Sequence, residues 1–245
     1  MRNEENTRGR RAVEARIQRR KRARNRQIIR QILLLLAVLV LGIFLGMRIS
    51  ALREKTGQET SMAKSFSKVV TEEPDFEVQL LTPNPYSRPQ EALKEIKGIV
   101  VHYTANPGTT AQQNHDYFEG LKDAKTTNAS SHFIVGLDGE IIQCIPSSEI
   151  AYASNERNAD TISIECCHPG ESGEFTKETY DALVHLTAWL CGKFSLAPGS
   201  IIRHYDVTGK NCPRYFVEHE DAWEKFLKDV ERYIEQHGTK REEPA

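Results

Sequence analysis

The run KGIVVHY (97–103) is apolar and rich in β-branched residues, which is typical of a buried strand. Two further apolar segments, SHFIVG (131–136) and EIIQCI (140–145), flank Asp138-Gly139. Asp-Gly between apolar segments is a strong signal for a β-hairpin, because glycine readily adopts the backbone angles of the tight turn. The sequence therefore predicts a sheet with a buried strand and an antiparallel hairpin.

A third strand is predicted for TISIEC (161–166), where apolar and polar residues alternate and place Glu165 opposite the apolar face. Helical spacing predicts helices over 110–121, 177–194 and 218–236, the first with a threonine N-cap. Strands and helices are interleaved, so the expected fold is α/β: a single domain with a central mixed β-sheet flanked by helices, preceded by one transmembrane helix.

The transmembrane helix is predicted at residues 28–48. Residues 32–47 carry no charge and span about 24 Å as a helix, and residues 28–29 extend them across the bilayer if Arg30 snorkels to the interface. A buried core helix is the weaker alternative, because the run is apolar on every face. A cleaved signal peptide is the closer alternative, but no small-residue cleavage pattern follows Met47, which favours an uncleaved signal anchor.

Charge is unevenly distributed along the chain. The first thirty residues hold 12 of the 33 Lys and Arg but only 3 of the 34 Asp and Glu, a net +9 in a chain of net −1. By the positive-inside rule, this predicts a basic cytoplasmic arm (1–27), a single-pass protein of the cytoplasmic membrane and a domain that faces outward. A nucleic-acid-binding arm is the alternative, but the base-reading helix and aromatic residues of such a module are missing, so no nucleic-acid partner is expected.

Composition and length limit the number of domains and the class of fold. The 245 residues are 39% hydrophobic and 27% charged, which suits one globular domain with appendages. Five cysteines, an odd number, exclude a fully disulfide-stapled fold. We predict an extracytoplasmic stalk at 49–78, a folded domain at 79–237 and a polar tail at 238–245. The sequence carries no signal for an oligomeric state.

Three residues could hold a metal ion. His102 ends the first predicted strand, and His204 and Cys212 lie in the segment RHYDVTGKNCP (203–213). Each of the three could instead have a structural role, because a single histidine at a strand end is more often structural and a His-x7-Cys spacing has low specificity. The residues beside Cys212 favour a functional role, since a lysine such as Lys210 near a thiolate lowers the pKa of the thiol.

Four strings in this order resemble the zinc-dependent N-acetylmuramoyl-L-alanine amidases of the amidase-2 type, a fold shared with phage lysozyme-like amidases and peptidoglycan recognition proteins. The resemblance covers roughly residues 79–236. The strings are IVVHYTAN (99–106), SHFIVGLDGEIIQCIPSSEIAYAS (131–154), TISIEC (161–166) and RHYDVTGKNCP (203–213).

The resemblance implies that His102, His204 and Cys212 bind Zn²⁺. It also implies that Glu165 moves the protons of the reaction and that Lys210 stabilises the developing oxyanion. From the residues alone, Glu165 could equally be a surface carboxylate and Lys210 a solvated loop lysine.

One position departs from the resemblance. Phage-type members have a tyrosine where this chain has Ser131, so the catalytic role shifts to Glu165, and the next residue, His132, is interpreted as structural.

The function implied by the resemblance is hydrolysis of the bond between N-acetylmuramic acid and L-alanine in peptidoglycan. The alternative is a membrane-anchored, non-catalytic receptor or scaffold that binds peptidoglycan. Receptors without activity typically lack the cysteine ligand, and Cys212 therefore favours the enzyme. Tethering by the anchor and stalk predicts cleavage confined to wall near the membrane.

Overall fold

The computed structural model describes residues 68–240. The predicted basic arm (1–27), the predicted membrane anchor (28–48) and the predicted stalk up to residue 67 lie outside the described residues. Within 68–240, no helix is both long and apolar enough to cross a membrane.

A six-stranded mixed sheet forms the centre of the domain, as predicted. Its order is β2-β5-β4-β6-β3-β7, and only the β4–β5 pair is antiparallel. A separate antiparallel pair joins β1 (Lys68–Val69) to β8 (Thr239–Lys240). The strands of the main sheet are β2 (Glu77–Val78), β3 (Gly98–Tyr103), β4 (Phe133–Val135), β5 (Ile141–Gln143), β6 (Thr161–Cys166) and β7 (Ile201–Arg203).

The strands predicted from the apolar runs are all present. Every residue of β3 is buried, and β4 and β5 form the predicted hairpin with Val135 opposite Ile141. Gly139, in the turn between them, has a φ of +85°, in the left-handed region that favours glycine. Strands β3 and β6 are parallel neighbours along their full length, and this register places His102 directly beside Glu165.

Within residues 68–240, five α-helices accompany the sheet, and the three long ones were predicted to within a few residues. Thr110 caps α1 through the hydroxyl that accepts the Gln113 N–H, and the Gln113 side chain accepts the Thr110 N–H in return. The helices are α1 (Ala111–Ala124), α2 (Lys177–Lys193), α3 (His204–Thr208), α4 (Arg214–Glu218) and α5 (Glu220–His237).

The core has two parts, one on each face of the sheet. On one face, Ile162, Ile164 and Val101 pack with apolar residues of α2 and α5. On the other face, Ile134 packs with residues of α1 such as Leu121. Because side chains alternate along a strand, His102 and Glu165 point away from the α2 and α5 core.

The domain boundaries differ from those predicted. Val70, in the predicted stalk, is only 2% exposed and belongs to the core beside α2. Gly192 of α2 allows this approach, since a Cβ there would lie 2.8 Å from the Val70 carbonyl oxygen. The domain therefore begins by Lys68 rather than at residue 79, and it continues through Lys240, in the predicted polar tail.

Candidate metal centre

Three side chains meet at the carboxyl end of the parallel strands. His102 lies near the end of β3, His204 opens α3 directly after β7, and Cys212 lies in the loop between α3 and α4. All three are buried, and their ligand atoms lie within 4.8 Å of one another. The Cys212 Sγ is 3.8 Å from the His102 Nδ1, and the two imidazole centroids are 4.7 Å apart. The structure thus brings together the three residues that the sequence singled out as metal ligands.

Local backbone contacts place Cys212 at this point. Gly209 ends α3 with a φ of +76°, which turns the chain back. The Tyr205 N–H then donates to the Cys212 carbonyl oxygen at 2.9 Å, and the Cys212 Sγ lies 3.8 Å from the Nδ1 of His102 on β3. The thiol is therefore held against the end of β3.

The outer nitrogens of both imidazoles contact residues that sequence reasoning missed. The His102 Nε2 is 3.1 Å from the Ser154 Oγ, and the His204 Nε2 is 3.0 Å from the Asn155 Oδ1. The His204 Nδ1 is buried and has no hydrogen-bond partner among residues 68–240. Serine and asparagine in a loop are ordinary turn residues, so no sequence signal marked these two.

The electrostatics of the trio suit a bound cation. Burial lowers the pKa of His102 well below its usual value, and the nearby His204 and Lys210 lower it further. Burial, assisted by Lys210, also lowers the pKa of His204. Both lowered pKa values favour neutral imidazoles, each with a lone pair available to a metal ion. Burial raises the pKa of the Cys212 thiol to about 12. A metal cation at this point would lower that pKa again, because its charge favours the thiolate.

The donor set fits zinc. Two imidazole nitrogens and one thiolate sulfur are typical zinc ligands, and three protein ligands leave a fourth position open, as in catalytic sites. The unpartnered His204 Nδ1 is the observation that supports this fit, because a buried polar atom without a partner is costly unless something binds it.

Glu165 stands beside the trio. Its Oε1 is 4.0 Å from the His102 Nδ1, and its Oε2 is buried with no hydrogen-bond partner in the described part of the chain. Burial raises the pKa of the carboxyl to about 8, against a smaller opposing effect of Lys210. The sequence placed Glu165 on the correct face, but that face is the site rather than open solvent: the side chain is only 17% exposed.

Lys210 lies in the exposed turn after α3. Its charge contributes to the lowered pKa values of both His102 and His204, which places its ammonium within electrostatic range of the site. A lysine in this position can interact with negative charge that develops close to the trio.

Ser131 and His132 are engaged in contacts inside the sheet. The Ser131 hydroxyl contacts the carbonyl oxygens of Phe133 and Ser163, and the His132 Nδ1 accepts the Ser163 N–H at 3.0 Å. The His132 Nε2 lies 2.9 Å from the Glu149 carbonyl oxygen, and burial lowers the His132 pKa to about 4. These contacts agree with the structural role expected for His132.

The chain is similar to known proteins over much of its length. A family model described as N-acetylmuramoyl-L-alanine amidase, Amidase_2, matches residues 92–215, about half of the chain. The N-acetylmuramoyl-L-alanine amidase CwlL of Bacillus licheniformis is 37% identical over 164 residues, which cover 62% of this chain and 45% of that protein. The N-acetylmuramoyl-L-alanine amidase BlyA of Bacillus subtilis (strain 168) is 31% identical, over 66% of this chain and 48% of that protein. The chain spans about half the length of the curated relatives it matches.

Solved structures share the fold. The structure of PlyL matches with a TM-score of 0.56 at 23% identity and covers 64% of this chain and 97% of its own. The catalytic domain of XlyA matches with a TM-score of 0.52 at 25% identity, over 63% of this chain and 99% of that domain.

Proposed function

The chain belongs to the amidase-2 family of N-acetylmuramoyl-L-alanine amidases, and from that premise we propose that it is a zinc-dependent peptidoglycan hydrolase. The bond cleaved is the amide between N-acetylmuramic acid and the L-alanine of the stem peptide. The observation that carries the proposal is the convergence of His102, His204 and Cys212 with a buried carboxylate beside them.

The proposed zinc ligands are the His102 and His204 imidazoles and the Cys212 thiolate. When bound, zinc supplies a Lewis acid that polarises the scissile carbonyl and lowers the pKa of water. The ligands themselves carry one negative charge, on the Cys212 sulfur, so the loaded site keeps a net positive charge that suits a developing oxyanion.

Glu165 is the proposed proton carrier. Its carboxylate takes a proton from the attacking water and gives it to the nitrogen of the leaving L-alanine, so that the amine departs neutral. The pKa of about 8 in the metal-free protein lies near the working range of such a group. A cation bound by His102, whose Nδ1 is 4.0 Å from the Glu165 Oε1, would lower the pKa of the carboxyl and favour its carboxylate form.

Lys210 is the proposed partner of the negative charge on the scissile carbonyl oxygen. Its charge lowers the pKa of His102, and a positive group close to charge that appears in the transition state accelerates a reaction.

Attachment to the cytoplasmic membrane is part of the proposal. It rests on the uncharged run 32–47 and the basic residues before it, which together predict an anchor at 28–48 with the hydrolase domain facing the wall. Protease added to spheroplasts should then digest the domain, and deletion of 28–48 should release the protein from the membrane fraction. A protected domain or unchanged fractionation would contradict the anchor.

Hydrolysis can be tested on purified peptidoglycan with the zinc-loaded full-length protein in mild detergent. Mass spectrometry should detect free stem peptides that begin with L-alanine, and these should disappear with a chelator and in Glu165→Gln. Glu224→Gln is the matched control, because Glu224 on α5 is 62% exposed and pairs with Lys228 on the same helix. Binding of muropeptide without new amine termini would instead favour the receptor.

A further inference from the structure

Two adjacent residues, Ser154 and Asn155, contact both histidines of the trio on the side away from Cys212. Ser154 is 1% exposed, and its Oγ lies 3.1 Å from the His102 Nε2. Asn155 lies at the exposed rim, and its Oδ1 lies 3.0 Å from the His204 Nε2. One short segment of chain therefore contacts one candidate ligand from strand β3 and one from the start of helix α3.

These contacts determine which ring nitrogen is free to bind metal. An amide oxygen only accepts hydrogen bonds, so the contact with Asn155 fixes the proton of His204 on Nε2 and leaves the lone pair on Nδ1. That Nδ1 is the buried atom without a partner. For His102, the Ser154 hydroxyl can accept from Nε2 in the same way, and the Nδ1 then faces the Cys212 sulfur at 3.8 Å.

The backbone holds this segment in place. Asn155 has a φ of +53°, a left-handed conformation that asparagine tolerates better than most residues. The Asn158 Oδ1 accepts the N–H groups of Ala153 and Ser154, at 3.1 and 2.6 Å. A backbone conformation of this kind, held by its neighbours, is typical of functional sites.

We propose that Ser154 and Asn155 are positioning residues that orient the two histidines and fix their tautomers, so that both Nδ1 atoms face a single metal ion. The proposal rests on the metal site of the proposed function. Contacts to the outer nitrogen of a metal-binding histidine orient the ring and raise its basicity, and their loss typically weakens metal binding about 10- to 100-fold.

Zinc affinity, measured by competition with a chromophoric chelator on the full-length protein in detergent, tests the proposal. Asn155→Gly removes the amide and suits the positive φ, so it should lower zinc affinity at least about 10-fold while the fold is retained. Asn155→Asp keeps an acceptor at the same place and should stay close to the unsubstituted protein. Ser195→Gly is the matched control, because Ser195 is exposed, follows α2 and also has a positive φ of 59°.

The visible spectrum of the cobalt-loaded protein gives a second readout that does not depend on activity. Asn155→Gly and Ser154→Ala should change the intensity and position of the bands of the four-coordinate ion, whereas the Ser195 variant should not. Ser154→Ala carries the same test if Asn155→Gly fails to fold, since it removes one hydroxyl and leaves the turn.

Folded Asn155→Gly and Ser154→Ala proteins with unchanged zinc affinity and spectrum would overturn the positioning role and leave the metal site intact. Failure of the unsubstituted protein to bind zinc would overturn the metal site, and the positioning role with it.

Discussion

Replacing Glu165 by glutamine should weaken hydrolysis and, at the same time, stabilise the metal-free protein. Burial of the Glu165 side chain raises the pKa of its carboxyl from 4.5 to about 8. Glutamine has nearly the same shape but carries no charge, so the substitution removes both the proposed proton carrier and the buried carboxylate. General acid–base catalysis contributes about 10²- to 10⁴-fold, and we expect kcat to fall by that factor.

The gain in stability depends on pH. The carboxyl pKa is higher in the folded state than in the unfolded state. The stability that the protonated carboxyl contributes to the folded protein is therefore fully present below pH 4.5 and is lost as the pH rises toward 8. At about 1.4 kcal/mol per pKa unit, the protein with Glu165 should lose roughly 3 kcal/mol relative to the glutamine variant between pH 4.5 and 7. Water reaches the side chain, which is 17% exposed, so this figure is an upper value.

Urea unfolding of the two metal-free proteins across this pH range measures the difference. The free energies of unfolding should agree near pH 4.5 and diverge as the pH rises, and added zinc should narrow the gap because its charge favours the carboxylate. Glu224→Gln, at an exposed position, should show no such divergence. If the free energies of unfolding of the two proteins changed in parallel with pH, the raised pKa of Glu165 would be refuted. An unchanged kcat would refute its role as proton carrier.

Three further perturbations test other parts of the account. Cys212→Ser should abolish stoichiometric zinc binding, measured by metal analysis, together with hydrolysis; normal turnover by this variant would refute the metal mechanism. Lys210→Ala should lower kcat/KM by about tenfold or more at unchanged zinc content, with partial recovery in Lys210→Arg, because the ammonium stabilises charge in the transition state. Val70→Ala should lower the free energy of unfolding by about 1–2 kcal/mol in urea titrations, while Val78→Ala, at a position 58% exposed, should have little effect; equal effects would contradict the corrected boundary.

Local patterns predicted most of the elements of the sheet. Strands β3 and β6 and the β4–β5 hairpin follow from apolar runs and one Asp-Gly turn, and these signals lie entirely within short windows of sequence. The helices α3 and α4 were not predicted, because five residues are too few to show a helical period. The pairing of β1 with β8 joins segments about 170 residues apart, and only the folded core reveals it.

His102, His204 and Cys212 could be singled out as candidate ligands because histidine and cysteine are typical zinc ligands and their segments resemble the amidase-2 family. Their convergence depends on strand order, which puts β7 and β6 on either side of β3, and no single segment encodes that order. The enclosed environment of Glu165 also depends on the strand order. The alternation along β6 predicts the face of the sheet on which the side chain lies, but not which residues cover that face. Ser154 and Asn155 escaped notice because nothing in their own segment distinguishes them from turn residues.

The proposed reaction is the hydrolysis of one amide bond, and digestion of peptidoglycan by the zinc-loaded protein in water labelled with ¹⁸O identifies that bond. Hydrolysis between N-acetylmuramic acid and L-alanine should add one labelled oxygen to the lactyl carboxylate and release stem peptides with a free L-alanine amine. Label at any other bond, or intact muropeptides after prolonged incubation with the zinc-loaded protein, would contradict the account.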